Sequence, residues 1–246
     1  MHTPDDRVGP LLLELERLRH LDEPGIETIE TATQLLRAGH DAVTEAQAHM
    51  ALARAHANAN GDPAAAMHSA SRAINRALVA RSEDPDNTGL VVAASTLSAE
   101  LLRRYGQTDQ AAALLASAVP FSGSDPVMQG QVRLVRGRLH LGDFGSVLDF
   151  ENQVATYFEA AAEQLMAGPD DILYAWALVH DCFGMFCTSQ PSLAAMALNS
   201  LEALIRHGLV HLGINQAHAC LAALLSENNQ YRVAIRTTRL LHILRI

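Results

Sequence analysis

Apolar residues recur along the chain three and then four residues apart, which is the spacing of a buried stripe on an α-helix. Four such stripes are Leu11, Leu15 and Leu18; Ile26, Ile29, Thr33 and Leu36; Met67, Ala70, Ile74 and Ala77; and Leu90, Ala94, Leu97, Leu101 and Tyr105. No alternating run of apolar and polar residues persists, and β-branched residues are scattered. The pattern predicts an all-α protein.

Short polar turns separate these stripes. Asp62-Pro63 and Asp125-Pro126 each place an acidic residue directly before a proline. The aspartate accepts hydrogen bonds from the free N–H groups of a first helical turn, and a proline in that turn gives up no bond. Helix ends in the left-handed conformation are predicted at Gly61, Gly106, Gly142, Gly168 and Gly208.

The turn glycines also indicate a repeat. Gly61, Gly106 and Gly142 lie 45 and 36 residues apart, which leaves room for two helices per interval. A single helical hairpin cannot bury its own apolar face, so such hairpins stack on one another. The spacing predicts an α-α superhelix, a solenoid of antiparallel helix hairpins. We expect residues 1–41 to form an N-terminal helical hairpin or cap and residues 42–246 to form one continuous solenoid.

At these turns the chain resembles the tetratricopeptide repeat family, which places a glycine between the two helices of a repeat and a small residue five positions later. The matching pairs are Gly61 and Ala66, Gly106 and Ala111, and, with the glycine replaced, Ser189 and Ala194, and Asn229 and Ala234. Further small positions of the family are met by Ala73, Ala99, Ala118 and Ala222. Val147 departs from the pattern, because the family has alanine there.

In the tetratricopeptide family, the first helix of each repeat lines a concave groove that holds a peptide or protein partner. The resemblance therefore implies a groove lined by Asn58 in the first repeat, by Glu100, Arg103 and Arg104 in the second, by Gln129, Arg136 and His140 in the third, and by Trp176, Phe183 and Phe186 in the fourth. Guanidinium groups bind carboxylates, and aromatic rings hold apolar side chains. The alternative is that the arginines form a solvated face and the aromatic residues belong to the core.

Charge excludes one class of partner. The 246 residues carry a net charge of −9, whereas sequence-independent binding to nucleic acid requires a basic face. A local exception is the strip of Arg133, Arg136 and His140, with Arg138 nearby. This strip either contacts a phosphate, a cyclic nucleotide or an acidic partner segment, or it pairs with acidic residues of neighbouring helices.

His180, Asp181 and Cys182 are adjacent in sequence and suggest catalysis, with Cys187 and Cys220 as further candidates. Neighbouring helical positions point about 100° apart, so His180 and Cys182 are not expected to converge. No phosphate-binding loop, nucleophile elbow or metalloprotease helix signature occurs. The sequence predicts no catalytic residue, no metal and no cofactor.

The cellular location follows from several weak indications. The three cysteines show no disulfide framework, and the N-terminus lacks the pattern of a signal peptide. No apolar run approaches the roughly 20 residues that cross a bilayer. We therefore expect a cytoplasmic protein that does not contact the membrane.

The C-terminal segment is apolar and carries no cap. Its apolar residues include Leu240, Leu241, Ile243 and Leu244, whereas a solenoid normally ends in a polar helix. Two interpretations are compatible: this helix pairs with its copy in a homodimer, or the chain is part of a longer protein in which the helix continues into an output domain.

Two functions remain open at this point. The first is a non-enzymatic tetratricopeptide-like scaffold that binds a peptide or protein in its concave groove. The second is a regulatory sensor module of a larger bacterial signalling protein, because similar irregular arrays occur beside diguanylate cyclases and transcription activators. Such a module binds a small ligand or signalling peptide and relays the change through its C-terminal helix.

Overall fold

The structure is a computed structural model. It describes residues 8–21, 25–38, 41–60, 62–141, 152–187, 190–226, 236–237, 239–240 and 243. Within these ranges the chain is almost entirely helical and contains no strand, so the predicted all-α fold class is confirmed. The helices are α1 (Val8–Leu21), α2 (Ile26–Ala38), α3 (Ala42–Ala55), α4 (Pro63–Glu83), α5 (Thr88–Arg104), α6 (Thr108–Ser122), α7 (Pro126–Leu141), α8 (Asn152–Leu165), α9 (Asp171–Cys187), α10 (Pro191–Arg206) and α11 (Leu212–Ser226). A π-helical turn, His56–Asn60, follows α3, and a 3₁₀ turn, Pro85–Asn87, precedes α5.

The predicted acidic caps are present at the helix starts. The Asp62 carboxylate accepts a hydrogen bond from the backbone N–H of Ala65 at 3.0 Å, at the start of α4. The Asp125 carboxylate accepts one from the N–H of Met128 at 3.0 Å, at the start of α7. Each cap supplies an acceptor to a first-turn donor that has no partner within its helix.

Two of the predicted glycine helix ends are confirmed. Gly106 and Gly208 have φ angles of +75° and +107°, the region that favours glycine. Gly168 follows α8 but lies outside that region, so its predicted left-handed conformation is wrong. A β-carbon there would lie 3.0 Å from Val127 Cγ1, so close packing explains this glycine. Gly61 and Gly142 lie outside the described residues.

The chain forms two compact units, residues 1–123 and 124–246. In the first unit each helix from α1 to α6 packs on the next. Small side chains fill the contacts. The alanines Ala66, Ala70, Ala73, Ala99, Ala111 and Ala118 are all fully buried. The family positions predicted to hold small residues in this unit therefore lie in its core.

The second unit contains α7 to α11, and its core holds larger side chains. Gly130 and Gly137 let the α7 backbone approach α8 closely. A β-carbon on Gly137 would lie 2.5 Å from Cε1 of the fully buried Phe158, and one on Gly130 would lie 2.9 Å from Cγ of Leu165. Glycine is required at these positions because the phenylalanine and leucine occupy the space.

Two of the C-terminal apolar residues, Leu240 and Ile243, pack against the core of the second unit. Leu240 is 0 % exposed and belongs to the same core cluster as Leu221 and Leu224, and the partly buried Ile243 packs against that cluster. The expectation that Leu240 contacts a second copy or an output domain is therefore wrong, because its own unit covers it. Leu241 and Leu244 lie outside the described residues.

Candidate partner-binding surface

In the first unit, the structure pairs the four residues expected in the groove. We call Asn58, Glu100, Arg103 and Arg104 the Arg104 cluster. Arg104 Nη1 donates a hydrogen bond to Asn58 Oδ1 at 2.8 Å, and Arg103 Nη2 donates one to Glu100 Oε1 at 2.7 Å. The Arg104–Asn58 bond joins the end of α5 to the turn after α3, whereas the Glu100–Arg103 pair lies within α5. Of the Glu100–Arg103 pair, only 15 % and 13 % of the side-chain surface is exposed.

The π-helical turn positions Asn58 for this contact. A π-turn widens the helix by one residue per hydrogen-bonded ring, and single π-turns are frequent at functional sites. The widened turn closes with a hydrogen bond from the Asp62 N–H to the His56 carbonyl at 3.2 Å. Burial lowers the pKa of the Arg104 guanidinium, while the nearby Glu100 carboxylate opposes that shift. The Arg104 cluster is therefore a half-buried polar contact between two helix ends.

In the second unit, side chains from α7, from α9 and from the residue before α11 meet around Trp176. The Arg138 guanidinium carbon of α7 lies 5.5 Å from the centre of the Trp176 ring on α9. The ring of His211, which directly precedes α11, meets the indole edge-on at a centroid distance of 5.7 Å. We call these three side chains the Trp176 surface. Trp176 itself is partly exposed.

The buried His180 contacts both Arg138 and the backbone of Trp176. His180 is 0 % exposed. Its Nδ1 lies 2.7 Å from the Trp176 carbonyl oxygen, and Arg138 Nε donates to its Nε2 at 3.3 Å. The Phe158 ring lies against the imidazole at a centroid distance of 4.7 Å. His180 therefore links the α7 arginine to the α9 backbone.

The side chains of His180 and Cys182 meet different neighbours. Whereas His180 contacts Arg138 and Phe158, Cys182 Sγ contacts the Ala194 carbonyl of α10 at 3.2 Å. The predicted divergence of these two side chains is thus confirmed. Burial raises the pKa of both Cys182 and Cys187 to about 12, which keeps the thiols protonated and weakly nucleophilic near neutral pH.

Asp181 lies among other acidic groups. Burial, together with Glu159 and Glu163 on α8, raises its carboxyl pKa to about 6. Its Oδ1 is buried without a hydrogen-bond partner. In the part of the chain that the structure describes, no group of three or more His, Cys, Asp or Glu side chains is placed to hold a metal ion.

The remaining groove residues lie in varied surroundings. Gln129 accepts a hydrogen bond from the Gln164 amide at 3.2 Å. The exposed His140 stacks on Tyr157 at a centroid distance of 5.6 Å. Arg136 is partly buried, two residues before Arg138.

The two phenylalanines face inward to different degrees. Phe183 is only 1 % exposed, so its expected place in a groove is wrong: its ring fills the core of the second unit. Phe186 is partly buried and packs against the same core. Trp176, by contrast, is partly exposed and contacts Arg138 and His211.

Sequence reasoning missed the roles of Arg138, His180 and His211. In the sequence Arg138 is only a neighbour of the basic strip, and His180 is only a catalytic candidate. One usable signal existed: Trp176 and His180 are four residues apart, on one helical face. The contacts of this pair with Arg138 and His211 depend on how separate helices are aligned, which helical spacing does not fix.

Comparisons with known proteins find no family model, no curated protein and no solved structure that matches this chain. No helix in the described part of the chain is long and apolar enough to cross a membrane.

Proposed function

We propose that the chain is a non-enzymatic, tetratricopeptide-like scaffold whose second unit binds a peptide or protein segment at the Trp176 surface. The observation that carries this proposal is the contact of Arg138, Trp176 and His211, which come from α7, α9 and the residue before α11. Tryptophan and arginine are the side chains most enriched at the energetic centres of protein interfaces. Here they stack on each other at a partly exposed position.

The chemistry of the surface suits an extended segment. The indole offers a flat apolar face, and the guanidinium beside it offers N–H donors in a fixed plane. A segment lying across α7 and α9 meets the partly exposed Arg138 and Trp176, while the buried His211 backs the indole. We infer a partner that presents an apolar side chain to Trp176 and a carbonyl or carboxylate oxygen to Arg138.

The Arg138 side chain is already ordered before a partner binds. The Arg138 side chain is held by the hydrogen bond to His180 and by stacking on Trp176. Ordering a free arginine side chain on binding costs about 0.5–1.5 kcal/mol of conformational entropy, and a side chain that is already ordered avoids part of that cost. This preorganisation supports recognition rather than a purely structural role.

The test uses a random twelve-residue peptide library displayed on phage, selected on the purified chain. Enriched peptides are expected to bind the wild-type chain and to bind Trp176→Ala and Arg138→Ala at least about tenfold more weakly. The matched control is Met196→Ala on α10, because Met196 is 65 % exposed and lies outside the Trp176 surface. Circular dichroism checks that each variant keeps its helices.

Two outcomes contradict the proposal. One is that selection enriches no peptide above background. The other is that enriched peptides bind Trp176→Ala as tightly as the wild-type chain while Met196→Ala weakens them.

A further inference from the structure

An ion pair lies at the rim of the contact between α3 and α4 in the first unit. The two helices pack on each other through Ala46, Ala73 and Ala77, which are all fully buried. Glu45 directly precedes Ala46, and Arg76 directly precedes Ala77. Arg76 Nε forms an ion pair with Glu45 Oε2, so these two positions meet at the same edge of the helix contact.

Four basic side chains share this edge. His49 follows Glu45 by four residues on α3, and His68, Arg72 and Arg76 follow one another at intervals of four on α4. Residues four apart lie on one face of a helix, so the Glu45–Arg76 pair brings the two rows together. We call His49, His68, Arg72 and Arg76 the His49 site.

The charges that act on His49 are mainly positive. Burial lowers the pKa of its imidazole, and Arg72, His68 and Arg76 lower it further, while Glu45 opposes the shift. Because the Glu45 carboxylate is already paired with Arg76, it leaves the positive charge of Arg72 in excess. The chain as a whole has a net charge of −9, so this edge is a local exception.

The His49 site also has unused hydrogen-bonding capacity. The Arg72 guanidinium is exposed and forms no hydrogen bond or ion pair within the described residues. Arg76 contacts Glu45 through Nε, which leaves the donors on its two Nη atoms. His49 is partly exposed, and its Nδ1 is buried without a hydrogen-bond partner. An anion at this edge therefore meets donors from both helices.

We propose that the His49 site binds the phosphoryl group of a phosphate monoester. A phosphoryl group has three strong acceptor oxygens and a charge of about −1.5 to −2 near neutral pH, and guanidinium groups bind it through paired hydrogen bonds. A carboxylate has two oxygens and a single charge, so it satisfies fewer of the donors on Arg72, Arg76 and the histidines. The site lies in the first unit and is independent of the Trp176 surface in the second.

The first test titrates the full chain with inorganic phosphate at pH 7.5 and follows the histidine ring signals by NMR. The His49 and His68 signals are expected to shift along a saturating curve. Sodium chloride at the same ionic strength is expected to leave them nearly unchanged, because it only screens charge. Sodium acetate, which supplies a carboxylate, is expected to bind at least about tenfold more weakly than phosphate. Equal shifts with all three salts overturn the proposal.

Variants then test whether the bound phosphate contacts the predicted residues. Arg72→Gln is expected to weaken phosphate binding about tenfold or more, because it removes the exposed guanidinium. Glu45→Gln removes the opposing negative charge and is expected to strengthen binding. The matched control is Arg206→Gln on α10, which changes the net charge equally at a side chain that is 67 % exposed. Phosphate binding that Arg72→Gln leaves unchanged, or that Arg206→Gln weakens equally, overturns the proposal.

A last comparison identifies the source of the phosphoryl group. The probes are a capped phosphoserine tripeptide, the same tripeptide with unmodified serine, and inorganic phosphate. If the phosphopeptide binds at least about tenfold more tightly than inorganic phosphate, the ligand is a phosphorylated partner segment; equal affinities assign a small phosphorylated molecule. Both results support a phosphoryl site. Binding of the serine peptide with the affinity of the phosphopeptide overturns it.

Discussion

The two compact units pack helix on helix with side chains of different size. In the first unit, fully buried alanines such as Ala66, Ala70 and Ala99 fill the contacts. The fully buried phenylalanines Phe158 and Phe183 both lie in the second unit. A small residue on both helices brings two backbones together, and a glycine facing a large ring achieves the same result with more buried apolar area.

The arginine–aromatic pairs differ between the units as well. In the first unit Arg81 of α4 lies over the Phe121 ring of α6 at 4.8 Å. In the second unit Arg138 of α7 lies over Trp176 of α9, and a buried histidine anchors the arginine. In the part of the chain that the structure describes, no buried histidine hydrogen-bonds Arg81. In the second unit, the Trp176 ring and the His180 imidazole therefore hold the Arg138 guanidinium in place. We connect this held guanidinium with recognition of a partner.

The largest expected effect tests the difference in core size. Phe158→Ala removes a fully buried ring and also leaves the gap beside Gly137. We expect a loss of about 3–5 kcal/mol in the free energy of unfolding, measured by urea denaturation. The counterpart in the first unit, Ala66→Gly, is expected to cost about 1 kcal/mol. Equal losses would contradict the division into a small-residue and a large-residue core.

A double-mutant cycle isolates the glycine contact. Gly137→Ala alone is expected to cost about 1–3 kcal/mol, because its β-carbon would overlap the Phe158 ring. Combined with Phe158→Ala, the added methyl enters vacated space, and the two losses are expected to be far from additive. Additive losses would mean that the glycine has a different role.

The second effect concerns charge in the second unit. Burial and the α8 carboxylates raise the pKa of Asp181 from 3.8 to about 6, so its ionised form destabilises the folded chain above pH 6. Asp181→Asn is therefore expected to gain up to about 3 kcal/mol at pH 7.5. As the pH falls through 6 towards 4, the wild-type carboxyl is protonated and this advantage is expected to disappear. Denaturation midpoints of both proteins across this range provide the measurement, and an advantage that persists at pH 4 would exclude ionisation as its cause.

Sequence patterns predicted the local features of both units. The caps at Asp62 and Asp125 were predictable because a capping acid acts on the turn that follows it within the chain. Burial around α9 was harder to predict, because this helix is apolar on most of its circumference. The family resemblance implies a groove position for both Trp176 and Phe183, and only the packing of neighbouring helices separates the partly exposed ring from the buried one.

Contacts between distant segments could not be predicted in the same way. Arg138 and His180 are 42 positions apart, and their hydrogen bond depends on the alignment of α7 with α9. Leu240 is a similar case, because the sequence of an apolar C-terminal segment does not show whether its own unit or a partner covers it. Helical spacing specifies which face of a helix a residue occupies but not what is opposite that face.

The smallest expected effect provides the internal reference for the comparison. Asp62→Ala in the first unit and Asp125→Ala in the second each remove one carboxylate that accepts a first-turn N–H at 3.0 Å. Because both caps have the same geometry and are exposed to solvent, we expect equal losses of about 1 kcal/mol by urea denaturation. Asn in place of either Asp keeps an acceptor oxygen and is expected to recover most of the loss. If the two cap substitutions lowered the free energy of unfolding by clearly different amounts, the same local change would affect the stability of the two units differently. The contrast between Phe158→Ala and Ala66→Gly would then no longer measure core size alone.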